Sequence, residues 1–198
     1  KSFCATNIAT VFALSEKKSV IVGLDLRKPK IFYDFNLSNA VGVVNYLIGQ
    51  HTIESIIQNT HIPFLDVITS GPIPPNPSEL ILGENLKLLL DDLKSRYDYV
   101  ILDTPPIGLV SDALSFASMC DATIFVVRQN VTKKDMISIV NEKNTNGELQ
   151  NVSLVLNGFA NKTKHGYGYK DYSNGYYEED VTSDSLMDKI KGFLKLRG

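Results

Sequence analysis

Twice in this chain an aspartate closes or follows a short hydrophobic run, and each time its neighbours suggest phosphate and metal chemistry. Asp103 ends the run Tyr99-Val-Ile-Leu102 and precedes Thr104-Pro105-Pro106. Asp25 and Arg27 follow the run Ser19-Val-Ile-Val-Gly23, in the string Gly23-Leu-Asp-Leu-Arg-Lys-Pro29. A carboxylate just past a buried strand stands at the sheet edge, where its oxygens suit a hydrated divalent cation. The chain opens on Lys1-Ser2, directly before a stretch of helical apolar period. At a helix N-terminus, a lysine ammonium and a serine hydroxyl are groups that hold phosphate oxygens and a hard cation. Lys-Ser alone recurs everywhere; its weight here comes from its place before a helix with two strand-end carboxylates downstream. Together they read as the last two residues of a G-x-x-x-x-G-K-[ST] phosphate loop and a Walker B aspartate.

These groups can meet only if the intervening elements bring them to one edge. Nearly continuous β-rich runs occur at 19–23, 64–68, 99–102, 123–127 and 152–156, as expected for strands buried on both faces of a parallel sheet. Helix-period stretches separate them at 3–14, 43–48, 78–94, 112–118 and 133–143. Ser78, followed by Glu79 and the apolar positions Leu80, Ile81, Leu86, Leu89, Leu90 and Leu93, predicts one capped amphipathic helix. Pro72, Pro74, Pro75 and Pro77 build a rigid turn into it. Alternating strands and helices with short joints predict an α/β fold with a doubly wound, mostly parallel sheet. Ligands in such folds sit at the carboxyl ends of the strands.

The pattern changes near residue 160. Residues 1–160 read as one domain; 161–184 lose apolar periodicity; 185–198 regain it as a short amphipathic helix. Five tyrosines, Tyr167, Tyr169, Tyr172, Tyr176 and Tyr177, fall in a Gly-rich segment followed by Glu178-Glu179-Asp180. Such a segment predicts a mobile tail that cannot bury its aromatics, leaving them free to enter an active site. The last helix is expected to dock on its own domain, its lysines diluted by Asp184 and Asp188 as a membrane patch.

Composition bounds the rest. The chain has 198 residues, 20 Lys+Arg against 22 Asp+Glu and a net charge of -2, so no bulk positive field points to nucleic acid. Cys4 and Cys120 form no disulfide framework or zinc spacing and read as small core residues in a reducing, cytoplasmic setting. His51, His61 and His165 are scattered, without ligand spacing. No apolar run reaches a membrane span, and no signal peptide is visible. The start at Lys1 without Met reads as a fragment.

Several strings now occur together: Asp25-Leu-Arg-Lys-Pro29, Gly71-Pro-Ile-Pro-Pro-Asn-Pro-Ser-Glu-Leu80, Asp98 to Pro106 with Val110-Ser-Asp-Ala113, Val155-Leu-Asn-Gly158 and the tyrosine cluster. In that combination the chain resembles the bacterial protein-tyrosine kinases (BY-kinases) of capsule and exopolysaccharide export. The resemblance implies a P-loop NTPase-like fold with Walker A, A′ and B motifs, ATP and Mg²⁺ as cofactors, and autophosphorylation of tail tyrosines in trans within a homo-oligomer. It further implies a membrane chain-length determinant segment or subunit as partner, a tyrosine phosphatase acting against it, and residence at the cytoplasmic face of the bacterial inner membrane. Lys1 and Ser2 match the end of Walker A, Asp25 and Arg27 the second acid and the basic residue of Walker A′, and Asp103 the Walker B aspartate. By that analogy Lys1 and Ser2 hold phosphate and metal, Asp103 supports the metal, Asp25 assists the metal and the acceptor, and Arg27 orders the site. Asn157 falls where related ATPases place an adenine-contacting Asn, while Asn-Gly is equally a turn pair.

Two departures stand out. Gly23 occupies the place of the first Walker A′ acid, which leaves more of the acceptor's orientation to Asp25. The Gly-rich part of Walker A and the elements before it are absent from the sequence, so this fragment is expected to bind ATP weakly. Two rival readings remain: a nucleotide-dependent assembly switch of the partitioning-ATPase type, without protein phosphorylation, and a scaffold whose tail another kinase modifies.

Overall fold

Strand β1 (Ser19–Gly23) is buried at every position, and the rest of the architecture is organised around it. The structure is a computed structural model that describes residues 1–106 and 117–159. β1 lies between β3 (Leu65–Ile68) and β4 (Tyr99–Asp103), parallel to both, with Val20 opposite Asp66 and Val100. A three-residue strand, β2 (Ile57–Asn59), adds antiparallel to β3, giving the order β2-β3-β1-β4.

The period-2 alternation of β1 sorts its side chains between two layers. Val20 and Val22, with Ile68, Val100 and Leu102, face a core built from α3 (Val43–Leu47), α4 (Ile53–Ile56), α5 (Pro77–Leu82) and α6 (Glu84–Arg96). Ile21, with Leu65, Val67 and Ile101, faces Ala9 and Ala13 of α1 (Ser2–Leu14) and Ile31 of α2 (Ile31–Asp34). Helices on both faces of a mostly parallel sheet are the doubly wound arrangement expected from the sequence. The small Ala9 and Ala13 let α1 approach the sheet closely.

A second parallel pair, β5 (Thr123–Arg128) and β6 (Val152–Asn157), forms its own sheet, with Phe125 and Val152 against Val140 of α7 (Lys134–Thr145), Ala117 and Leu149. The five long strands thus stand where the hydrophobic runs predict them.

Three expectations need correction. The single helix over 78–94 is two helices, because Gly83 adopts an extended conformation (φ -71°, ψ 154°) between α5 and α6. Ser78 is not the cap: Asn76 precedes α5 with Pro77 at its first turn, and Ser78 turns its hydroxyl to Arg27. Cys4 and Cys120 are half-buried rather than core residues. The helix expected over 112–118 falls largely outside the described residues, of which Ala117–Met119 form a 3₁₀ turn. The expectations for 161–198 also lie outside them.

Candidate active site

The carboxyl edge of the four-stranded sheet is set by register. Gly23 is paired with Asp103, the last residues of β1 and β4, and the Leu24 amide donates to the Asp103 carbonyl at 2.9 Å. Asp103 shares its strand face with Ile101, which lies on the α1 side of the sheet. Its carboxylate is therefore aimed at α1, and the Ser2 hydroxyl donates to Asp103 Oδ2 at 2.7 Å across 101 positions of sequence.

Why α1 delivers Ser2 to that point follows from lengths. Phe12 stacks on Tyr99 at the other end of β4, with ring centroids 3.7 Å apart and planes within 4°. Ten helical residues from Ser2 to Phe12 span about 15 Å at ~1.5 Å each. Four strand steps from Tyr99 to Asp103 span about 13 Å at ~3.3 Å each. The helix runs antiparallel to β4 and matches it in length, so one aromatic stack at the far end registers the serine at the near end.

Asp103 is almost completely buried, at 4% exposure. Burial raises its carboxyl above the ordinary value of 3.8; the Ser2 hydrogen bond and the Lys1 charge pull it back, and the Asp25 charge raises it further. Lys1 and Asp25 are thus both felt electrostatically at Asp103. Asp25 is half-buried, and its Oδ1 accepts the Lys28 amide at 3.0 Å, which folds the 25–28 turn back on the strand end. Arg27 donates to Ser78 Oγ at 2.8 Å and so joins this turn to α5.

Ser2, Asp103, Lys1 and Asp25 are therefore brought to one edge. Arg27 stands on its rim. Asn157 ends β6, opposite Arg128 in the second sheet, and its carbonyl accepts the Gln129 amide. The tail tyrosines lie outside the described residues.

Sequence reasoning missed the frame on the other side of β1. The Ser70 hydroxyl, buried, donates to the Gly23 carbonyl at 2.9 Å. A Cβ on Gly23 would lie 3.0 Å from Ser70 Oγ and 3.2 Å from Ser70 N, so the strand end is closely fitted. Beyond it, the Asn39 side chain donates to the Gly71 carbonyl at 2.8 Å and accepts the Gly71 amide at 3.0 Å. The Val43 and Val44 amides donate to the Thr69 and Ser70 carbonyls. No spacing rule reveals such side-chain-to-backbone pairing; only the Asn and Gly content of 36–45 hinted at an irregular segment.

The donor set fits a hard cation beside phosphate: one hydroxyl and one buried carboxylate, all oxygen, at the N-terminus of a 13-residue helix with a lysine next to it. Among the described residues there is no cluster of three or more His, Cys, Asp or Glu side chains that could hold a metal.

Comparison with known proteins decides the family. A family model described as an AAA domain matches residues 1–133. Over 179 residues the chain is 34% identical to tyrosine-protein kinase YwqD of Bacillus subtilis (strain 168), covering 90% of this chain and 76% of that protein. The chain belongs to the bacterial tyrosine-protein kinases. The solved kinase domain of Escherichia coli tyrosine kinase ETK is 32% identical, with a TM-score of 0.76 over 84% of this chain and 66% of that one. Of tyrosine-protein kinase ptk from Acinetobacter johnsonii, 33% identical over 159 residues and covering 80% of this chain, the chain spans only 21%. The fold extends to more distant P-loop ATPases. The septum site-determining protein MinD of Pyrococcus horikoshii OT3, solved with Mg-ADP, is 17% identical with a TM-score of 0.63, covering 94% of this chain and 70% of that one.

Proposed function

We propose that this chain is the catalytic part of a tyrosine autokinase that moves the γ-phosphate of ATP to tyrosines of neighbouring copies, in trans. The observation that carries the reading is the 2.7 Å hydrogen bond between Ser2 and the buried Asp103 carboxylate, beside Lys1 and Asp25, in a chain of this family. In the proposed reaction the tyrosine oxygen forms a bond to the γ-phosphorus, the bond from that phosphorus to the ADP oxygen breaks, and the phenolic proton leaves. Magnesium, when bound, neutralises charge on the phosphates.

The chain's own groups then have distinct tasks. Ser2 and Asp103 supply hydroxyl and carboxylate oxygens for the cation. Lys1 sets a positive charge against the phosphates. Asp25, fixed by the Lys28 amide, orients the incoming phenol and accepts its proton. Arg27, tied to Ser78, holds the turn that carries Asp25. Phosphoryl transfer depends mainly on positioning and charge stabilisation, so Asp25 can serve without a second acid at position 23, at reduced rate. Asn157 is the adenine contact in this reading. Regulation of capsule or exopolysaccharide export, membrane association through a chain-length determinant partner, and reversal by a phosphatase belong to the same proposal. The family relationship supports them. Among the described residues no helix is long and apolar enough to cross a membrane.

A second reading has an observation of its own. Gly23, together with a fold likeness to MinD, favours an ATP-dependent assembly switch without protein phosphorylation. Labelled ATP separates the two. Full-length protein is compared with Asp103→Asn and with a tail in which Tyr167, Tyr169, Tyr172, Tyr176 and Tyr177 are all Phe. Tyrosine label lost in both variants, by about 100-fold or more in rate for Asp103→Asn, is the expected autokinase result. Release of inorganic phosphate without label on tyrosine would establish the switch instead.

A further inference from the structure

The turn that carries Asp25 also presents positive charge that the proposed reaction does not use. Lys28 and Lys30 are exposed, and among the described residues neither has an ion pair or hydrogen bond through its side chain. Their backbones are fixed. The Lys28 amide is bound to Asp25 Oδ1, Pro29 fixes its own φ and restricts Lys28 before it, and Lys30 precedes α2, whose Ile31 is anchored in the core. The nearest acid of α2, Asp34, already accepts the Thr6 hydroxyl at 3.2 Å. Two exposed lysines thus follow the acceptor-orienting carboxylate on one turn, and among the described residues no acidic side chain pairs with either.

We infer that Lys28 and Lys30 select the acceptor: they recognise tyrosines closely followed by acidic residues. In a second copy of this chain they engage Glu178, Glu179 and Asp180, so that Tyr176 or Tyr177 is presented at Asp25. The inference rests on the kinase reading and adds the substrate class. Charge complementarity argues for this occupant. The three acids lie one to four positions after Tyr176 and Tyr177, a reach of roughly 3–13 Å in an extended chain at ~3.3 Å per residue. Lys28 and Lys30 stand three and five positions after Asp25, on and just past the turn that its carboxylate closes. Tyr167, Tyr169 and Tyr172 lack this context: Tyr169 is followed by Lys170 before Asp171, and Tyr172 by Ser-Asn-Gly. Exposed charge pairs are individually weak, so the selection is a matter of severalfold preference rather than of all or none.

The test uses full-length protein with Lys28→Glu and Lys30→Glu together, after its thermal midpoint is shown to match wild type. Site-resolved mass spectrometry after incubation with MgATP should show phosphate on Tyr176 and Tyr177 falling about fivefold relative to Tyr167, Tyr169 and Tyr172. Reversing Glu178, Glu179 and Asp180 to Lys in the double variant should restore the wild-type distribution. An unchanged distribution, or an equal loss at all five tyrosines, overturns the inference. A second measurement stands apart from catalysis: fluorescence anisotropy with a peptide of residues 165–180 carrying Phe for every Tyr. The double variant should bind it about fivefold more weakly, and 0.5 M salt should remove the difference. Equal affinities at low salt overturn the acceptor role even if the kinase reading holds. A preserved affinity difference with no phosphate on any tyrosine of the wild type would instead count against the kinase reading.

Discussion

The two sheets of this molecule differ in how completely they are enclosed, and the candidate chemistry divides along the same line. Every position of β1 is buried, and helices cover both of its faces. In β6, by contrast, Leu154 and Leu156 each keep 55% of their surface exposed. Asp103 and Gly23 close the enclosed sheet, and Asn157 closes the open one. Groups that must share a cation need positions fixed to a fraction of an ångström, and the enclosed sheet supplies that rigidity. The adenine contact proposed for Asn157 is a single contact with a planar base and would not require it.

The sharpest way to break this contrast is to cut matching side chains from the two sheets. Ile21→Ala, at the centre of β1, should cost about 2–5 kcal/mol of unfolding free energy. Leu156→Ala should cost about 0.5 kcal/mol or less, as exposed positions usually do. Urea melts of the two variants give both numbers, and similar losses would mean that β6 is as enclosed as β1.

A smaller effect tests what the buried carboxylate costs. Because burial holds Asp103 above its ordinary value of 3.8, its ionised form is disfavoured in the folded chain. Folding alone is therefore favoured as pH falls through its raised folded-state value towards 3.8, and that stabilisation is lost as pH rises back through it. Cation and phosphate binding need the ionised form and should weaken over the same interval. Asp103→Asn should raise the thermal midpoint at neutral pH by roughly 2–4 °C for each ~1 kcal/mol relieved, and flatten its acid dependence. A scan of midpoint against pH checks both, and a lower midpoint at neutral pH would show that the carboxylate stabilises the fold.

The smallest effect concerns the open sheet. Asn157→Ala should lower nucleotide affinity about fivefold, as one lost hydrogen bond does, with no change in the melt. A lowered melt with unchanged affinity would return Asn157 to the turn reading.

Much of the enclosed sheet was legible because parallel strands covered on both faces leave continuous β-rich runs, as at 19–23 and 99–102. β2 was not, since three residues carry no period. The break at Gly83 was hidden because leucines recur at helical spacing on both sides of it, and a pattern of apolar residues does not register one extended glycine. Within the site, Ser2 and Asp103 announced themselves by residue type and position. Lys28 and Lys30 did not, because exposed lysines are common and only their place on the Asp25 turn distinguishes them. The pairing of Asn39 with Gly71 joins residues 32 apart through one side chain, and no local rule reports it.

Gly42 shows what such hidden fitting does. A Cβ there would stand 2.1 Å from the Thr69 carbonyl oxygen and 2.5 Å from the Gly71 nitrogen, both main-chain atoms that cannot swing aside. In a library of all single replacements selected for growth, this position would be as depleted as one that handles the reactants. Intolerance at residue 42 therefore reports the tightness of a splice between two chain segments, and a reader who took it for a sign of chemistry would look for a reacting group where there is only backbone.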